Sequence, residues 1–206
     1  MKVGIINYGL GNLASVGGAL VELGVEPVIC QSPDQLDSLS RIILPGVGAF
    51  TEGMKMLKDA SWPQAISLSL ERGATLLGIC LGMQMLASRG TEGGLTEGLG
   101  LIPGDVKLLS QFGCQERIPH VGWNEVHFER ESELLAGIED RSDFYFVHSY
   151  AFEPADTSDQ IAVTRYGADI PVLVSRGPVR GCQFHPEKSS RVGLRFLKNF
   201  IEMGPC

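Results

Sequence analysis

The chain has 206 residues, 44% of them hydrophobic, which is enough for one large core, so a single domain over residues 1–206 is the simplest organisation. Its net charge of −7 and pI of about 5.1 offer no basic surface for nucleic acid or acidic lipid. No apolar stretch approaches the length of a membrane span, and the opening residues lack the later parts of a signal peptide.

The first half of the chain alternates apolar strand patterns with helical ones. Strands are predicted over Lys2–Asn7, Pro27–Cys30, Arg41–Leu44 and Thr75–Ile79. Helices are predicted over Leu13–Leu23, Glu52–Asp59, Trp62–Glu71 and Leu81–Ser88. Because fully apolar strands separated by helices are typical of sheets covered on both faces, the sequence predicts an α/β fold with a mostly parallel central sheet flanked by helices.

The second half of the chain changes character after a glycine-rich stretch, Gly90–Gly100, which is the longest predicted loop. Strand-like runs then follow one another through short turns, at Asp105–Leu109, Glu125–Phe128, Phe144–Val147, Ile161–Thr164, Val172–Val174 and Val179–Gln183. Such connections favour antiparallel strands and hairpins added to the parallel sheet. A last helix is predicted over Arg191–Met203.

An early glycine motif, Gly9–Ala14, follows a strand and opens a helix, which matches a loose dinucleotide-binding fingerprint. The physical test is an acidic residue about 20 positions further on, at the end of the next strand. That strand ends Ile29-Cys30-Gln31, without a carboxylate. A tight turn before a well-packed helix is therefore favoured over NAD or FAD binding.

The segment Gly78–Gly82 places a cysteine between two glycines, where an apolar strand meets an apolar helix. This is the cysteine counterpart of the strained strand-to-helix turn that exposes a nucleophile. The glycines let the backbone bend sharply, and the helix N-terminus favours a thiolate and negative charge developing on a substrate. The motif predicts acyl transfer through a thioester, with Cys80 as the nucleophile.

The other cysteines lack this glycine bracket and are interpreted as small buried hydrophobic residues. The chain shows no C-x-x-C spacing, so neither a zinc site nor a disulfide framework is predicted. A reducing cytoplasm fits this usage best. The residues in question are Cys30, Cys114, Cys182 and Cys206.

A thiol at neutral pH needs a base, and four histidines are available. His185 follows a strand, and Glu187 lies two residues beyond it, where a carboxylate can hold the imidazole in its useful tautomer. His148 also ends an apolar strand and is the second candidate. His120 has no near carboxylate, and His127 is interpreted as a structural residue of an alternating strand. Spacing favours His185 over His148.

Two motifs in this order, Gly78–Gln84 and Phe184–Glu187, resemble the class I (triad) glutamine amidotransferase family. Within that family, four further stretches resemble the glutaminase subunits of imidazole glycerol phosphate synthases: Pro45–Phe50, Ile118–Asn124, Tyr145–Tyr150 and His185–Ser189. The resemblance spans the chain from the third strand to the last helix. It implies a flavodoxin-like fold and a reaction that uses no cofactor and no metal.

The resemblance implies a role for each member of a catalytic triad. Cys80 would attack the carboxamide of L-glutamine, form a glutamyl thioester and release ammonia. His185 would protonate the departing ammonia and then activate water, and Glu187 would orient His185.

The resemblance also implies an oxyanion hole formed by the backbone N–H groups of Leu81 and Val47. In this subfamily the Gly46-Val47 peptide must reorient before the hole is complete. The sequence suits such a switch, since Gly46 tolerates unusual φ and ψ and Gly48 relieves crowding on the far side.

Contacts to the bound glutamine are implied for Gly48, Gln84, Ser149 and Tyr150. Glu92 is a candidate to pair with the substrate amino group, although it lies in a loop without a tight motif. For two of these residues a structural role is the alternative: Tyr150 could belong to the core, and Gln84 could be a solvent-facing helix residue.

A partner follows from the same resemblance: a (β/α)8-barrel cyclase that consumes the ammonia, makes imidazole glycerol phosphate and AICAR in histidine biosynthesis, and switches on glutamine hydrolysis when its nucleotide is bound. Loops near the active site would form this heterodimer interface, at Tyr8–Asn12, His120–Asn124 and Tyr145–His148. The candidate interface residues are Asn12, His120, Trp123 and Tyr145. Trp123 could anchor the partner or be a buried core residue.

Three alternatives remain open on sequence. A related glutaminase subunit could serve a sugar-modifying amidotransferase, and sequence barely separates it from the favoured function. A noncatalytic regulatory subunit or thiol sensor would lack a triad member, and this chain has all three. The glutaminase of pyridoxal phosphate synthesis would lack the Pro119–Asn124 and Pro45–Phe50 patterns.

Overall fold

The computed structural model describes residues 2–204, so Cys206 and the two ends of the predicted 1–206 domain lie outside the described residues. Five α-helices are described: α1 Leu13–Glu22, α2 Phe50–Asp59, α3 Trp62–Glu71, α4 Leu81–Met85 and α5 Ser190–Glu202. Thirteen strands are described: β1 Lys2–Ile6, β2 Glu26–Cys30, β3 Arg41–Gly46, β4 Thr75–Cys80, β5 Arg89–Gly90, β6 Thr96–Glu97, β7 Gly104–Leu108, β8 His120–Phe128, β9 Ser142–His148, β10 Tyr150–Pro154, β11 Gln160–Arg165, β12 Asp169–Arg176 and β13 Val179–Cys182. None of these helices is long and apolar enough to cross a bilayer.

The central sheet has nine strands in the order β2-β1-β3-β4-β13-β12-β11-β8-β9. The first five are parallel to one another, because β13 returns beside β4 in parallel register. The remaining four pair antiparallel. The predicted α/β fold with added antiparallel strands is confirmed, and the carboxyl ends of β3, β4 and β13 meet at one edge of the sheet.

Hydrophobic side chains alternate between the two faces of this sheet and form two cores. Along β3, Ile43 lies in one core while Ile42 and Leu44 lie in the other. The helices α1 and α5 cover the first face, and α2, α3 and α4 cover the second. Both faces of the parallel half are buried, as continuous apolar strands require.

A smaller sheet of four strands, in the order β10-β7-β5-β6, lies outside the predicted pattern. Its strand β10 was not predicted. Strand β6 falls within the stretch predicted as a loop, and β5 lies at the start of that stretch. Two strands of two residues carry too little periodicity to be detected from sequence. Strand β10 pairs with the predicted strand β7 and leads directly from the end of β9.

The prediction for α4 was too long, because the helix ends at Met85 and not at Ser88. The carbonyl groups of Met85, Leu86, Ala87 and Ser88 accept hydrogen bonds from the backbone of Gly98–Leu101, at 2.8–2.9 Å. These carbonyls therefore have partners outside the helix, and the helical ladder stops. The glycine-rich segment is in this way tied to the helix that follows the cysteine.

The strand predicted over Phe144–Val147 is confirmed, and the prediction of interface loops at His120–Asn124 and Tyr145–His148 is wrong. They form the paired halves of β8 and β9, with His120 opposite His148 and Trp123 opposite Tyr145. One face of this ribbon turns inward and the other outward, since strand side chains alternate.

Candidate active site

Cys80 lies at the turn from β4 into α4, with φ 56° and ψ −111°. A positive φ is strained for a residue with a side chain, and such strain is frequent at functional sites. The flanking glycines are required by space: a Cβ on Gly78 would lie 2.6 Å from the Gly82 carbonyl oxygen, and one on Gly82 would lie 1.8 Å from the Leu44 carbonyl oxygen. The sharp bend predicted at this elbow is confirmed.

His185 lies beyond the end of β13, beside the elbow, and is buried. Its Nδ1 is 2.9 Å from Glu187 Oε1. Burial lowers the pKa of His185, but hydrogen bonds with Cys80 and Glu187 outweigh it and raise the pKa to about 10. The imidazole therefore interacts with a thiol on one side and a carboxylate on the other, and it strongly favours the protonated form that a thiolate–imidazolium pair needs.

Glu187 is buried together with His185, with a side chain 1% exposed. Among the described residues, its second oxygen, Oε2, has no hydrogen-bond partner. The carboxylate is therefore directed at the imidazole alone, which is the arrangement of an orienting residue.

His148, the second candidate base, is engaged elsewhere. Its Nδ1 lies 2.9 Å from the Tyr150 carbonyl, and its Nε2 lies 3.0 Å from Nδ1 of His120. Burial lowers the pKa of His148 to about 3 and that of His120 to about 4. Both rings are therefore neutral at physiological pH, and neither pairs with the thiol.

This histidine pair predicts acid sensitivity. Because the folded-state pKa of His120 lies below its ordinary value of 6.5, its contribution to stability is present above pH 6.5 and is lost as the pH falls towards 4. Between pH 6.5 and 4, the free energy of unfolding of His120→Phe should fall less steeply than that of wild type. The difference in slope should be up to about 1.4 kcal/mol per pH unit. Urea titrations at pH 7, 6, 5 and 4 measure it. An equal slope in wild type and His120→Phe would contradict the assignment.

A cavity of about 330 Å³ opens over the cysteine and brings the predicted residues together. It is lined by the nucleophile, the base, both oxyanion-hole candidates and all five substrate-contact candidates: Cys80, His185, Val47, Leu81, Gly48, Gln84, Glu92, Ser149 and Tyr150. The lining also includes His148, the second candidate base, and three residues that had not been named as site candidates: Pro119, Val147 and Lys188. A larger groove of about 730 Å³ runs along residues 128–138, and neither a cysteine nor a histidine lines it.

In the turn after β3, the glycine with the unusual backbone conformation is Gly48, whereas the prediction named Gly46. Gly46 ends the strand, and its constraint is space, since a Cβ there would lie 2.6 Å from the Tyr8 hydroxyl and 2.9 Å from Gly82 N. Gly48 has the left-handed conformation, with φ 109°. Val47 stands between them, half exposed, and lines the cavity.

Two substrate-contact candidates are held by bonds within the protein. Gln84 is buried, and its Nε2 donates to the Tyr150 carbonyl and to Gln183 Oε1, each at 2.9 Å, so it does not face solvent. Glu92 Oε2 accepts the backbone N–H of Phe50 at 2.8 Å, at the start of α2. The loop carboxylate is thereby held at the rim of the cavity.

The interface candidates divide into exposed and buried residues. Trp123 is 52% exposed and packs edge-to-face on Tyr145, so it is not a core residue. Asn12 caps helix α1 by accepting from Ser15 N at 3.2 Å. The His120 side chain is 3% exposed and stacked on aromatic rings, so the expectation that it faces a partner is wrong for this structure.

Known proteins resemble this chain closely in sequence. The family described as Glutamine amidotransferase class-I matches residues 5–203. The protein called imidazole glycerol phosphate synthase subunit HisH from Moorella thermoacetica is 46% identical over 98% of this chain and 94% of its own. Its counterpart from Caldanaerobacter subterraneus subsp. tengcongensis is 42% identical over 99% of both.

Solved structures agree at the level of the fold. A crystal structure of a glutamine amidotransferase has a TM-score of 0.75 and 24% identity, covering 97% of both chains. A chain of PurLQS from Thermotoga maritima has a TM-score of 0.76 and 19% identity, with 97% of both chains covered. The family match over residues 5–203 and the relatives at 46% and 42% identity establish that the chain belongs to the class I glutamine amidotransferase family.

Proposed function

We propose that this chain is the glutaminase subunit of an imidazole glycerol phosphate synthase. It hydrolyses L-glutamine to glutamate and ammonia and passes the ammonia to a cyclase subunit. The observation that carries the proposal is the cavity in which Cys80 and His185 meet the five candidate glutamine contacts. The near-full-length HisH relatives support the histidine-pathway acceptor. The four described cysteines are free thiols, which supports a reducing cytoplasm as the compartment. The proposal also includes a single-domain organisation of the chain.

The chemistry begins from the thiolate–imidazolium pair, in which His185 holds the proton of the Cys80 thiol. The thiolate attacks the carboxamide carbon of glutamine, and the tetrahedral intermediate collapses as His185 protonates the departing nitrogen, so that ammonia leaves. Water then attacks the thioester, with His185 taking its proton, and glutamate departs as the thiol reforms. Glu187 holds Nδ1 of the imidazole throughout, at 2.9 Å, which leaves Nε2 for the proton transfers.

Negative charge on the tetrahedral intermediate requires donors. The backbone N–H of Leu81, at the start of α4, and that of Val47, in the turn after β3, are the proposed pair. Both residues line the cavity. Gly48 beside Val47 provides the backbone freedom for a reorientation of this turn, and a partner that contacts half-exposed Val47 would bias it.

The partner surface is the outward face of the β8–β9 ribbon. The paired residues Val121 and Val147, and Trp123 and Tyr145, present adjacent apolar side chains there. Val147 also lines the cavity, so a partner seated on this face covers the mouth of the active site. We assign this surface to the (β/α)8-barrel cyclase.

We expect Trp123→Ala to weaken binding to the cyclase by about 30-fold or more, since a half-exposed tryptophan at the centre of an interface is a typical binding hot spot. Titration calorimetry with the cyclase of the same organism measures the dissociation constant. The matched control is Leu68→Ala, which removes a similarly exposed apolar side chain from helix α3. Equal affinity of Trp123→Ala and wild type would place the interface elsewhere.

Glutamine hydrolysis measured in three conditions tests the function: this chain alone, with the cyclase, and with the cyclase plus its nucleotide ligand. The proposal expects the rate to rise strongly in the last condition. A chain that hydrolyses glutamine but ignores the cyclase would instead serve another acceptor, and the sugar-modifying amidotransferases are the first to test. No hydrolysis in any condition would contradict a glutaminase role.

A further inference from the structure

Gln183 lies between the end of β13 and the base His185, and it is completely buried. Its Nε2 donates to the sulfur of Cys80 at 3.6 Å, and its Oε1 accepts from Gln84 Nε2 at 2.9 Å. A buried amide whose donor faces a reactive sulfur was not anticipated from the sequence, where Gln183 is the last residue of a predicted strand.

The orientation of this amide is fixed by its neighbours. The Tyr150 carbonyl can only accept, so the Gln84 group that faces it at 2.9 Å must be the NH₂. The same NH₂ donates to Gln183, which therefore presents its oxygen to Gln84 and its own NH₂ to the sulfur. A flipped Gln183 amide would place two donors face to face.

His120 and His148 lie at the far end of this chain of hydrogen bonds. Because the Tyr150 carbonyl also lies 2.9 Å from His148 Nδ1, that nitrogen carries the proton and Nε2 is an acceptor. His120 Nδ1, at 3.0 Å, is then the donor to His148. His120 therefore donates to His148, and His148 donates to the Tyr150 carbonyl. The same carbonyl also accepts from Gln84.

We infer that Gln183 is a further catalytic residue, whose side-chain N–H stabilises the Cys80 thiolate and fixes the sulfur in position for attack. When the thiol proton moves to His185, the sulfur becomes a stronger acceptor, and the Gln183 donor gains strength while keeping its own proton. The Val147 carbonyl, 3.8 Å from the same sulfur, can accept from the thiol but has no donor for the thiolate. The inference rests on the proposed role of Cys80 as nucleophile.

Alkylation of Cys80 by iodoacetamide as a function of pH tests this role in the full-length chain, because the thiolate is the reacting species. The adduct is located by peptide mass spectrometry. Gln183→Glu keeps the acceptor for Gln84 and cannot donate when its carboxylate is ionised. Gln183→Met removes both functions without adding charge. His185, Tyr8 and Cys182 interact electrostatically with Cys80, and both variants leave these three groups in place.

We expect alkylation at pH 7 to slow by roughly tenfold in both variants, with the midpoint of the rate profile moved to higher pH. The control is Asn199→Leu, which removes another buried amide with two hydrogen bonds, in helix α5, and should leave the profile unchanged. Unchanged profiles in folded Gln183→Glu and Gln183→Met would overturn the inference.

A measurement on the wild type covers the case in which the variants do not fold. The side-chain amide resonance of Gln183, observed in ¹⁵N-labelled protein, should shift when Cys80 is alkylated, and a resonance that does not move would also overturn the inference. Glutaminase activity of Cys80→Ala separates the two proposals. If glutaminase activity persists in Cys80→Ala, Cys80 is not the nucleophile. The Gln183–sulfur contact is tested separately, by the alkylation profiles and the amide resonance.

Discussion

Cys80→Ala should abolish glutamine-dependent product formation by the complex, with a loss on the order of 10⁴-fold or more. The variant lacks the sulfur that accepts the glutamyl group, while His185 and Glu187 stay paired. Alanine removes only the sulfur atom of a side chain that lines the cavity, so we expect little effect on the fold. Product formation is followed with glutamine and, separately, with ammonium salt as the nitrogen source.

The ammonium arm is the internal control. In the proposed complex the cyclase takes up free ammonia without this active site, so synthesis from ammonium should survive in Cys80→Ala. Cys30→Ala is the matched variant, because Cys30 is another buried free thiol, at the end of β2, and burial raises its pKa. It should keep glutamine-dependent activity. Persisting glutaminase activity in Cys80→Ala would remove Cys80 from the mechanism.

Gly82→Ala should destabilise the chain by about 4 kcal/mol or more. A Cβ at this position would lie 1.8 Å from the Leu44 carbonyl oxygen, which is backbone of β3 and cannot move aside as a flexible side chain can. Relief requires α4 to move away from β3, which also displaces the Leu81 N–H and the cysteine. Urea unfolding of the isolated chain measures the loss, and glutaminase activity should fall with it.

The matched substitution is Gly18→Ala in helix α1, where an added Cβ meets nothing within 4 Å. Alanine is favoured over glycine inside a helix by about 0.5–1 kcal/mol, so this variant should be slightly more stable than wild type. If Gly82→Ala were as stable as Gly18→Ala, the close contact between α4 and β3 would not be a feature of the folded protein.

The proposed triad could be predicted from the sequence because its signals are local. Gly78 and Gly82 bracket Cys80 within five positions, and Glu187 lies two residues after His185. The parallel half of the sheet could also be predicted from the sequence. Strands β1, β3 and β4 are apolar runs that must be covered on both faces.

Other features depended on contacts that sequence does not encode locally. Helix α4 stops at Met85 because a segment more than ten residues away bonds to its last carbonyls. His120 is buried because β8 begins at that residue, and register alone decides which side of the ribbon turns inward. Gln183 meets Cys80 because β13 lies beside β4, a pairing of strands about a hundred positions apart.

Trapping of the acyl-enzyme tests the central claim most directly. Wild-type complex with nucleotide bound is mixed with isotope-labelled glutamine, quenched in acid, and digested for mass spectrometry of the peptide that contains Cys80. We predict a labelled glutamyl group on Cys80 that disappears when glutamine is exhausted. Turnover of glutamine with no glutamyl group on Cys80, or with the label on another residue, would contradict the account.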